Sequence, residues 1–154
     1  ILFEKSVQIM EFIIEIKPEI LSKRFRAGIY SALGFTLLSV NKNDKALINL
    51  EKSFLLNPKG EGINLGLGVS YLRINEFNKA EYYIRKEILT KSNNYYNYYT
   101  FACLYSKKNN LKLAIENLKK SLSLDKEKTI EYSKIEPYFF NIKNSKEFKE
   151  LIYK

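Results

Sequence analysis

Few side chains in this sequence have the chemistry that catalysis needs. The chain has no histidine and a single cysteine, Cys103. Without histidine there is no usual general base near neutral pH and no His-based triad, and one thiolate does not make a zinc site. Cys103 falls on an apolar stretch, where a buried inert thiol is expected. We therefore predict no catalytic residue, no metal site and no cofactor, and we predict that the protein is not an enzyme.

Gly66 and Gly68 are the nearest approach to a phosphate-binding loop. Such a loop follows a strand and carries a Lys-Ser or Lys-Thr pair, and neither is expected around these two glycines. Glycine inside a helix costs about 0.5–1 kcal/mol relative to alanine. We interpret both glycines as places where two helices pack closely.

Lysine and tyrosine offer chemistry of another kind. Lys and Arg number 26 against 17 Asp and Glu, a formal net charge of +9, which would steer the chain toward anionic surfaces, nucleic acid included. The tyrosine-rich segment 95–99 could stack on bases. However, the lysines are scattered and alternate with glutamates, as on solvated helix faces. We favour that interpretation, and nucleic-acid or anionic-surface binding through basic helical faces is the alternative.

A fixed internal period organises the chain. The pair Leu33-Gly34 recurs as Leu67-Gly68 and again, after the same interval, as Phe101-Ala102. Further positions recur with the same spacing: Leu37, Tyr71 and Tyr105; Asn41, Asn75 and Asn109; Ala46, Ala80 and Ala114; Leu50, Ile84 and Leu118. A period in the range of about 20–50 residues is typical of repeat arrays. The sequence therefore predicts three copies of one unit, at 27–60, 61–94 and 95–128.

The middle copy shows how one unit is expected to fold. Residues 63–73 are apolar or small all round, Asn75-Glu76 make a polar break, and residues 79–89 place apolar groups at helical spacing between charges. This pattern predicts two antiparallel helices, with Gly68 and Ala80 small where the helices cross. One hairpin cannot bury both its faces alone, so neighbouring copies must complete the core.

These residues resemble the tetratricopeptide repeat (TPR) family in its bacterial form. The Leu-Gly pair and the small residue that opens the second helix match the family pattern over residues 27–126. Four positions depart from the pattern: Asn64 and Asn43 replace aromatic residues, and Ser92 and Lys126 stand where the closing proline, present as Pro58, would recur. The resemblance implies an all-α fold, a right-handed α-solenoid of antiparallel helix hairpins.

The two ends of the chain continue this organisation. Residues 1–18 are interpreted as the second helix of a partial upstream repeat or as a capping helix. The helix A of the first full unit is expected to be extended from about residue 19, and residues 129–154 are expected to form a C-terminal cap. We treat residues 1–154 as a single solenoid domain, part of a longer protein.

The first helix has an apolar face that includes Met10, Ile13, Ile14 and Ile16. An uncovered apolar patch tends to associate, so residues 3–18 are a candidate surface for self-association. Charges interrupt the run, which is shorter than a membrane span requires. Because the chain does not start with Met, we expect a processed or excised chain, and a cell-envelope location is favoured over the cytoplasm.

In the TPR family, the first helix of each unit lines a concave groove that holds a partner segment. The resemblance assigns this role to an apolar strip with basic residues at its edge: Phe35, Leu38, Leu65, Val69, Leu72, Arg73, Tyr96, Tyr99, Cys103 and Lys107. Some members clamp a chaperone's carboxylate with lysine, asparagine and arginine at several of these repeat positions. Here the fifth positions are Ser31, Leu65 and Tyr99 and the ninth are Phe35, Val69 and Cys103, so that clamp is absent. The predicted function is a non-enzymatic protein–protein interaction module, a scaffold or adaptor whose partner presents an apolar or amphipathic helical segment.

Overall fold

The computed structural model describes residues 2–16, 20–91 and 93–154, which form α-helices joined by short turns. The helices are α1 (Leu2–Ile16), α2 (Lys23–Ser39), α3 (Asn43–Leu56), α4 (Ile63–Arg73), α5 (Phe77–Thr90), α6 (Tyr95–Lys107), α7 (Leu111–Leu124), α8 (Lys126–Ile135) and α9 (Lys146–Ile152). A short 3-10 helix, Pro137–Phe139, lies between α8 and α9. These ranges contain no strand, which confirms the all-α class. None of the helices they contain is long and apolar enough to cross a membrane.

The helices follow the repeat period closely, with one difference at a helix start. α4 has the bounds predicted for it, and α5 includes the predicted residues 79–89. α2 begins at Lys23 and not near residue 19, because the Ser22 hydroxyl accepts a hydrogen bond from the Phe25 N–H (3.2 Å) and caps the helix there. Residue 19 itself, like the predicted end of the first helix at residues 17 and 18, lies outside the described residues.

The chain divides into two compact units, Ile1–Glu76 and Phe77–Lys154. In the first unit α2 packs against α1, α3 and α4, and α3 also packs against α4. In the second unit α6 packs against α5, α7, α8 and the 3-10 helix, while α9 packs against α7 and α8. Each unit has its own core, built from Leu33, Leu37, Leu50, Ile63 and Leu67 in the first and from Ile84, Leu104, Leu118, Phe139 and Phe148 in the second. The single-domain organisation stays a prediction.

The same turn ends the first helix of every copy. Asn41, Asn75 and Asn109 have φ values of 59°, 63° and 57°, in the left-handed region. Each asparagine N–H donates to the carbonyl three residues back, and the next N–H donates to the carbonyl five residues back. This is the Schellman arrangement, in which a left-handed residue satisfies the last carbonyls of a helix. After glycine, asparagine is among the residues that adopt this conformation most readily.

Small residues bring α2 and α3 into close contact. A Cβ atom added to Gly34 would lie 2.5 Å from Leu50 Cγ and 3.3 Å from the Ala46 carbonyl oxygen. A side chain at Gly34 would therefore require Leu50 to shift, and Ala46 is itself fully buried. The predicted crossing of the first hairpin is therefore confirmed. In the later copies Ala80 and Ala114 correspond to Ala46, and Ala102 corresponds to Gly34. All three are also fully buried.

Much of the apolar surface of α1 is uncovered. Phe3, Ile9 and Phe12 are 57%, 59% and 61% exposed, and Ile13, from the predicted face, is 39% exposed. Met10 and Ile14 of that face are partly buried, while the Ile16 side chain lies outside the described part of the structure. Self-association through residues 3–18 stays a prediction.

Candidate functional site

The residues predicted to bind a partner differ in how far they reach solvent. Leu38, Leu65, Leu72, Tyr99 and Cys103 are buried. Phe35 and Tyr96 are exposed by 40% and 37%, and Val69, Arg73 and Lys107 are partly exposed. The members up to Arg73 belong to the first compact unit and the members from Tyr96 onward to the second. That they form one binding surface stays a prediction.

Phe35 is held in place by glycines on α4 and in the turn before it. A Cβ atom at Gly66 would lie 2.9 Å from Phe35 Cζ, and a Cβ atom at Gly62 would lie 3.8 Å from the same atom. The ring therefore rests directly on the backbone at the start of α4. Gly66 serves helix packing, as the sequence indicated, and the packing fixes an aromatic ring that still reaches solvent.

Arg73 is engaged within its own unit. Its Nη1 donates to the Leu38 carbonyl and lies 3.3 Å from both Asn41 Oδ1 and Asn43 Oδ1. The last residue of α4 is thus tied to the end of α2 and the turn after it. This side chain positions two helix ends, in addition to the edge role that the family pattern implies.

Tyr99 and Cys103 lie beneath the C-terminal segment of the chain. The Tyr99 hydroxyl donates to Glu136 Oε2 (3.2 Å), and its ring meets Phe139 edge-on with centroids 5.6 Å apart. Phe139 in turn contacts the ring of Phe148 on α9. Burial, and after it the Glu136 carboxylate, raises the pKa of the Cys103 thiol, so this thiol stays protonated and inert.

Aromatic side chains from α6 and α8 line a cavity of about 550 Å³. Tyr96 stacks on Tyr99 with centroids 5.9 Å apart, and Tyr132 meets Tyr99 edge-on at 6.1 Å. The remaining lining residues are Tyr95, Ile135, Glu136 and Pro137. Burial, with the neighbouring Tyr132, raises the pKa of Tyr95 to about 12. The sequence analysis predicted Tyr96 and Tyr99 as site residues but not Tyr132 or Glu136. The repeat period could have pointed to Tyr132, because it lies one full period after Tyr98.

A polar network on α5 and α6 was not predicted. Glu81 accepts hydrogen bonds from Arg85 (2.7 Å), Lys108 (2.9 Å) and the Tyr105 hydroxyl (3.0 Å). Burial raises the pKa of Glu81, but these three donors outweigh it and lower the pKa to about 2. The carboxylate is therefore charged at neutral pH and serves as a structural anchor. No cluster of three metal-ligating side chains occurs among the residues the structure describes.

A second unpredicted feature recurs in two copies. The Ser53 hydroxyl donates to the Ala27 carbonyl (2.8 Å), and the Ser121 hydroxyl donates to the Tyr95 carbonyl (3.1 Å). Ser121 lies two repeat periods after Ser53, and Tyr95 lies two repeat periods after Ala27. In both copies a buried serine on the second helix therefore binds the start of the first helix.

Comparison with known proteins identifies the repeat. A family model described as a tetratricopeptide repeat matches residues 95–128, the third predicted unit. Residues 95–128 are therefore similar to one tetratricopeptide repeat unit. Proteins with a TPR-type helical repeat fold are generally protein–protein interaction scaffolds. No curated protein sequence matches the chain.

Solved structures share this TPR fold at low sequence identity. A crystal structure of MamA matches with a TM-score of 0.72 and 17% identity, over 98% of this chain and 87% of that one. MamA 41-end from Desulfovibrio magneticus RS-1 matches with a TM-score of 0.64 and 15% identity, over 96% and 94% of the two chains. The APC/C hetero-tetramer Cut9–Hcn1 matches with a TM-score of 0.62 and 17% identity. That match covers 84% of the present chain, which spans about a quarter (23%) of the chain in that complex.

Proposed function

We propose that this TPR protein binds a segment of a partner protein through the first helices of its repeats. The observation that carries the proposal is the exposure of Phe35 and Tyr96, by 40% and 37%, at positions the family uses for ligands. Most apolar side chains on these helices are buried. A fixed, partly exposed aromatic ring is the kind of residue that dominates interface energy.

The partner segment is an apolar or amphipathic helix. Leu38, Leu65 and Leu72 are at most 9% exposed, so contact with the partner falls to the more exposed members Phe35, Val69 and Tyr96. An amphipathic helix presents apolar side chains at regular intervals, which suits separate apolar anchors of this kind. Lys107, whose Nζ lies 5.6 Å from the Tyr138 ring centroid, supplies a positive charge at the edge of the strip and favours an acidic flank on the partner.

Two findings support a protein partner over the alternative anionic one. The Cut9–Hcn1 structure is a hetero-tetramer, so a chain of similar fold takes part in a protein assembly. Several lysines also lie over tyrosine rings of this chain, including Lys52 over Tyr30 at 5.3 Å and Lys120 over Tyr98 at 5.8 Å. These lysines have a structural role that does not require phosphate.

A substitution at Phe35 tests the proposal. The partner is captured on the immobilised chain, its binding segment is mapped, and the affinity of that segment is measured for each variant. Phe35→Glu is expected to weaken binding at least tenfold, about 1.4 kcal/mol. Phe25→Glu is the matched control, because Phe25 lies on the same helix and is 54% exposed but is outside the predicted surface.

A second variant addresses the alternative function. Lys119→Glu with Lys120→Glu reverses two exposed charges on α7 and is expected to leave partner affinity near wild type. Thermal unfolding of each variant controls for loss of fold. If the lysine reversal abolishes binding and Phe35→Glu does not, the partner is held electrostatically and the proposal is wrong.

A further inference from the structure

The cavity between α6 and α8 has the composition of a cation site. Four tyrosines line it, namely Tyr95, Tyr96, Tyr99 and Tyr132, together with the carboxylate of Glu136. The face of an aromatic ring carries negative charge density and attracts a cation within about 6 Å of the ring centroid. Several rings around one carboxylate therefore form a chemical environment that favours a positive group.

The tyrosine rings that line the cavity differ in exposure and orientation. Tyr99 is 4% exposed, whereas Tyr96 and Tyr132 are each 37% exposed. Tyr96 is nearly parallel to Tyr99, at 13°, and Tyr132 is inclined to Tyr99 by 71°. A group entering the cavity would thus meet rings in two different orientations.

The charges around the cavity are consistent with a cationic guest despite the net charge of +9. Glu136 is the charged residue among those that line the cavity. The nearby Lys128 Nζ lies 5.6 Å from the Tyr95 ring centroid and is paired with Asp125 Oδ2 at 3.4 Å. One of these rings therefore already attracts a cation. Burial raises the pKa of Tyr95 and Tyr99, so both phenols stay neutral at physiological pH.

The hydrogen bonds of Glu136 indicate which kind of cation fits. Its Oε2 accepts from the Tyr99 hydroxyl and its Oε1 accepts from the Tyr138 N–H at 3.1 Å. The carboxylate thus contributes charge, while its oxygens already serve two donors. A primary ammonium is strongly hydrated and needs acceptors for its three N–H groups. A quaternary ammonium has no N–H to satisfy and binds ring faces without them.

We propose that the cavity lined by Tyr95, Tyr96, Tyr99, Tyr132 and Glu136 binds a quaternary ammonium group. This site goes beyond the partner-binding proposal, since it specifies a ligand chemistry and includes Tyr132 and Glu136, which the helix strip does not. Because Phe35 is remote from the cavity in sequence and belongs to the other compact unit, the Phe35 test and the cation test fail independently.

Choline is the probe, and 3,3-dimethylbutan-1-ol, its uncharged carbon analogue, is the matched control ligand. Binding to the 154-residue chain is followed by NMR titration of the tyrosine ring signals. The site predicts that choline binds at least tenfold more tightly than the alcohol, a difference of about 1.4 kcal/mol. Equal affinity of the two ligands would show simple apolar burial and would overturn the proposal.

Variants of the cavity locate the site. Tyr132→Leu removes a ring and is expected to weaken choline binding about tenfold, whereas Tyr132→Phe keeps the ring and is expected to bind as wild type does. Tyr96→Leu, at the other exposed ring, provides the same test if Tyr132→Leu does not fold. Tyr82→Leu is the control, because Tyr82 is an exposed tyrosine on α5 outside the cavity. Unchanged choline affinity in folded Tyr132→Leu or Tyr96→Leu would overturn the proposal.

A last comparison identifies the source of the ammonium group. Choline and a short peptide with one trimethyllysine are titrated in parallel, with the unmodified lysine peptide as control. Tighter binding of the trimethyllysine peptide assigns the site to a modified protein side chain, and tighter binding of choline assigns it to a small molecule. Preference for the unmodified lysine peptide over both would contradict a quaternary ammonium site.

Discussion

At the scale of single residues, Glu81 joins two helices of the second unit through charge. Its carboxylate accepts from Arg85 on its own helix and from Tyr105 and Lys108 at the end of α6. Tyr105 occupies the same repeat position as Leu37 and Tyr71. The hydroxyl of Tyr71 likewise reaches a glutamate, Glu51, at 2.6 Å. In both copies this tyrosine therefore links the first helix to a carboxylate on an earlier second helix.

The low pKa of Glu81 makes this contribution depend on pH. Its pKa in the folded chain is about 2, below the ordinary value of 4.5, so folding favours the ionised form. The stabilisation is complete above about pH 4.5 and is lost as the pH falls toward 2. We expect Glu81→Gln to destabilise the chain by roughly 1 kcal/mol at neutral pH, allowing for solvent screening of its partners.

Urea unfolding of wild type and Glu81→Gln at several pH values between neutrality and pH 2 checks this expectation. The difference between the two free energies of unfolding should shrink as the pH falls. Glu116→Gln, on the exposed side of α7, controls for the loss of a carboxylate. A difference that stays constant over the whole pH range would contradict the role assigned to Glu81.

Sequence and structure agree least well on individual side chains of the candidate surface. The position of Arg73 in the repeat was predictable, but its bond to the Leu38 carbonyl was not, because a long side chain can turn either outward or back toward its own fold. Tyr99 was expected on the partner surface, yet Phe139 and Glu136 cover it. Those contacts join residues far apart in the chain, and the repeat period contains no information on them.

At the scale of elements, the period predicted the helices well because each copy repeats the same turn chemistry. Asn41, Asn75 and Asn109 end three helices in the same left-handed conformation. The start of α2 was predicted less well, since residues 19–26 have no counterpart in the repeat. There a single hydroxyl, that of Ser22, sets the first residue of the helix.

The turn residue Asn109 provides a test at this scale. Its φ of 57° is unfavourable for alanine, so Asn109→Ala should destabilise the chain by about 1 kcal/mol. Asn109→Gly should be close to wild type, because glycine adopts positive φ at no steric cost. Thermal unfolding compares the three chains. If Asn109→Ala were as stable as Asn109→Gly, the left-handed turn would not contribute as described.

At the scale of the whole molecule, the chain combines a TPR fold with a net charge of +9. The fold favours a protein ligand and the charge favours an anionic one. The exposed groups support the proposed protein ligand. Phe35 and Tyr96 offer aromatic contact, whereas lysines such as Lys52 and Lys120 lie over rings of their own chain.

The salt dependence of binding distinguishes a protein ligand from an anionic one. The affinity of the chain for its mapped partner segment is measured between about 50 mM and about 200 mM salt, next to a single-stranded RNA of similar length. For a protein-binding module we expect a shallow salt dependence for the partner segment and tighter binding of that segment than of RNA. Contacts with several phosphates would instead cost about a thousandfold or more in affinity over this range. Such a steep loss, with RNA as the preferred ligand, would contradict the proposal that this chain is a protein-binding module.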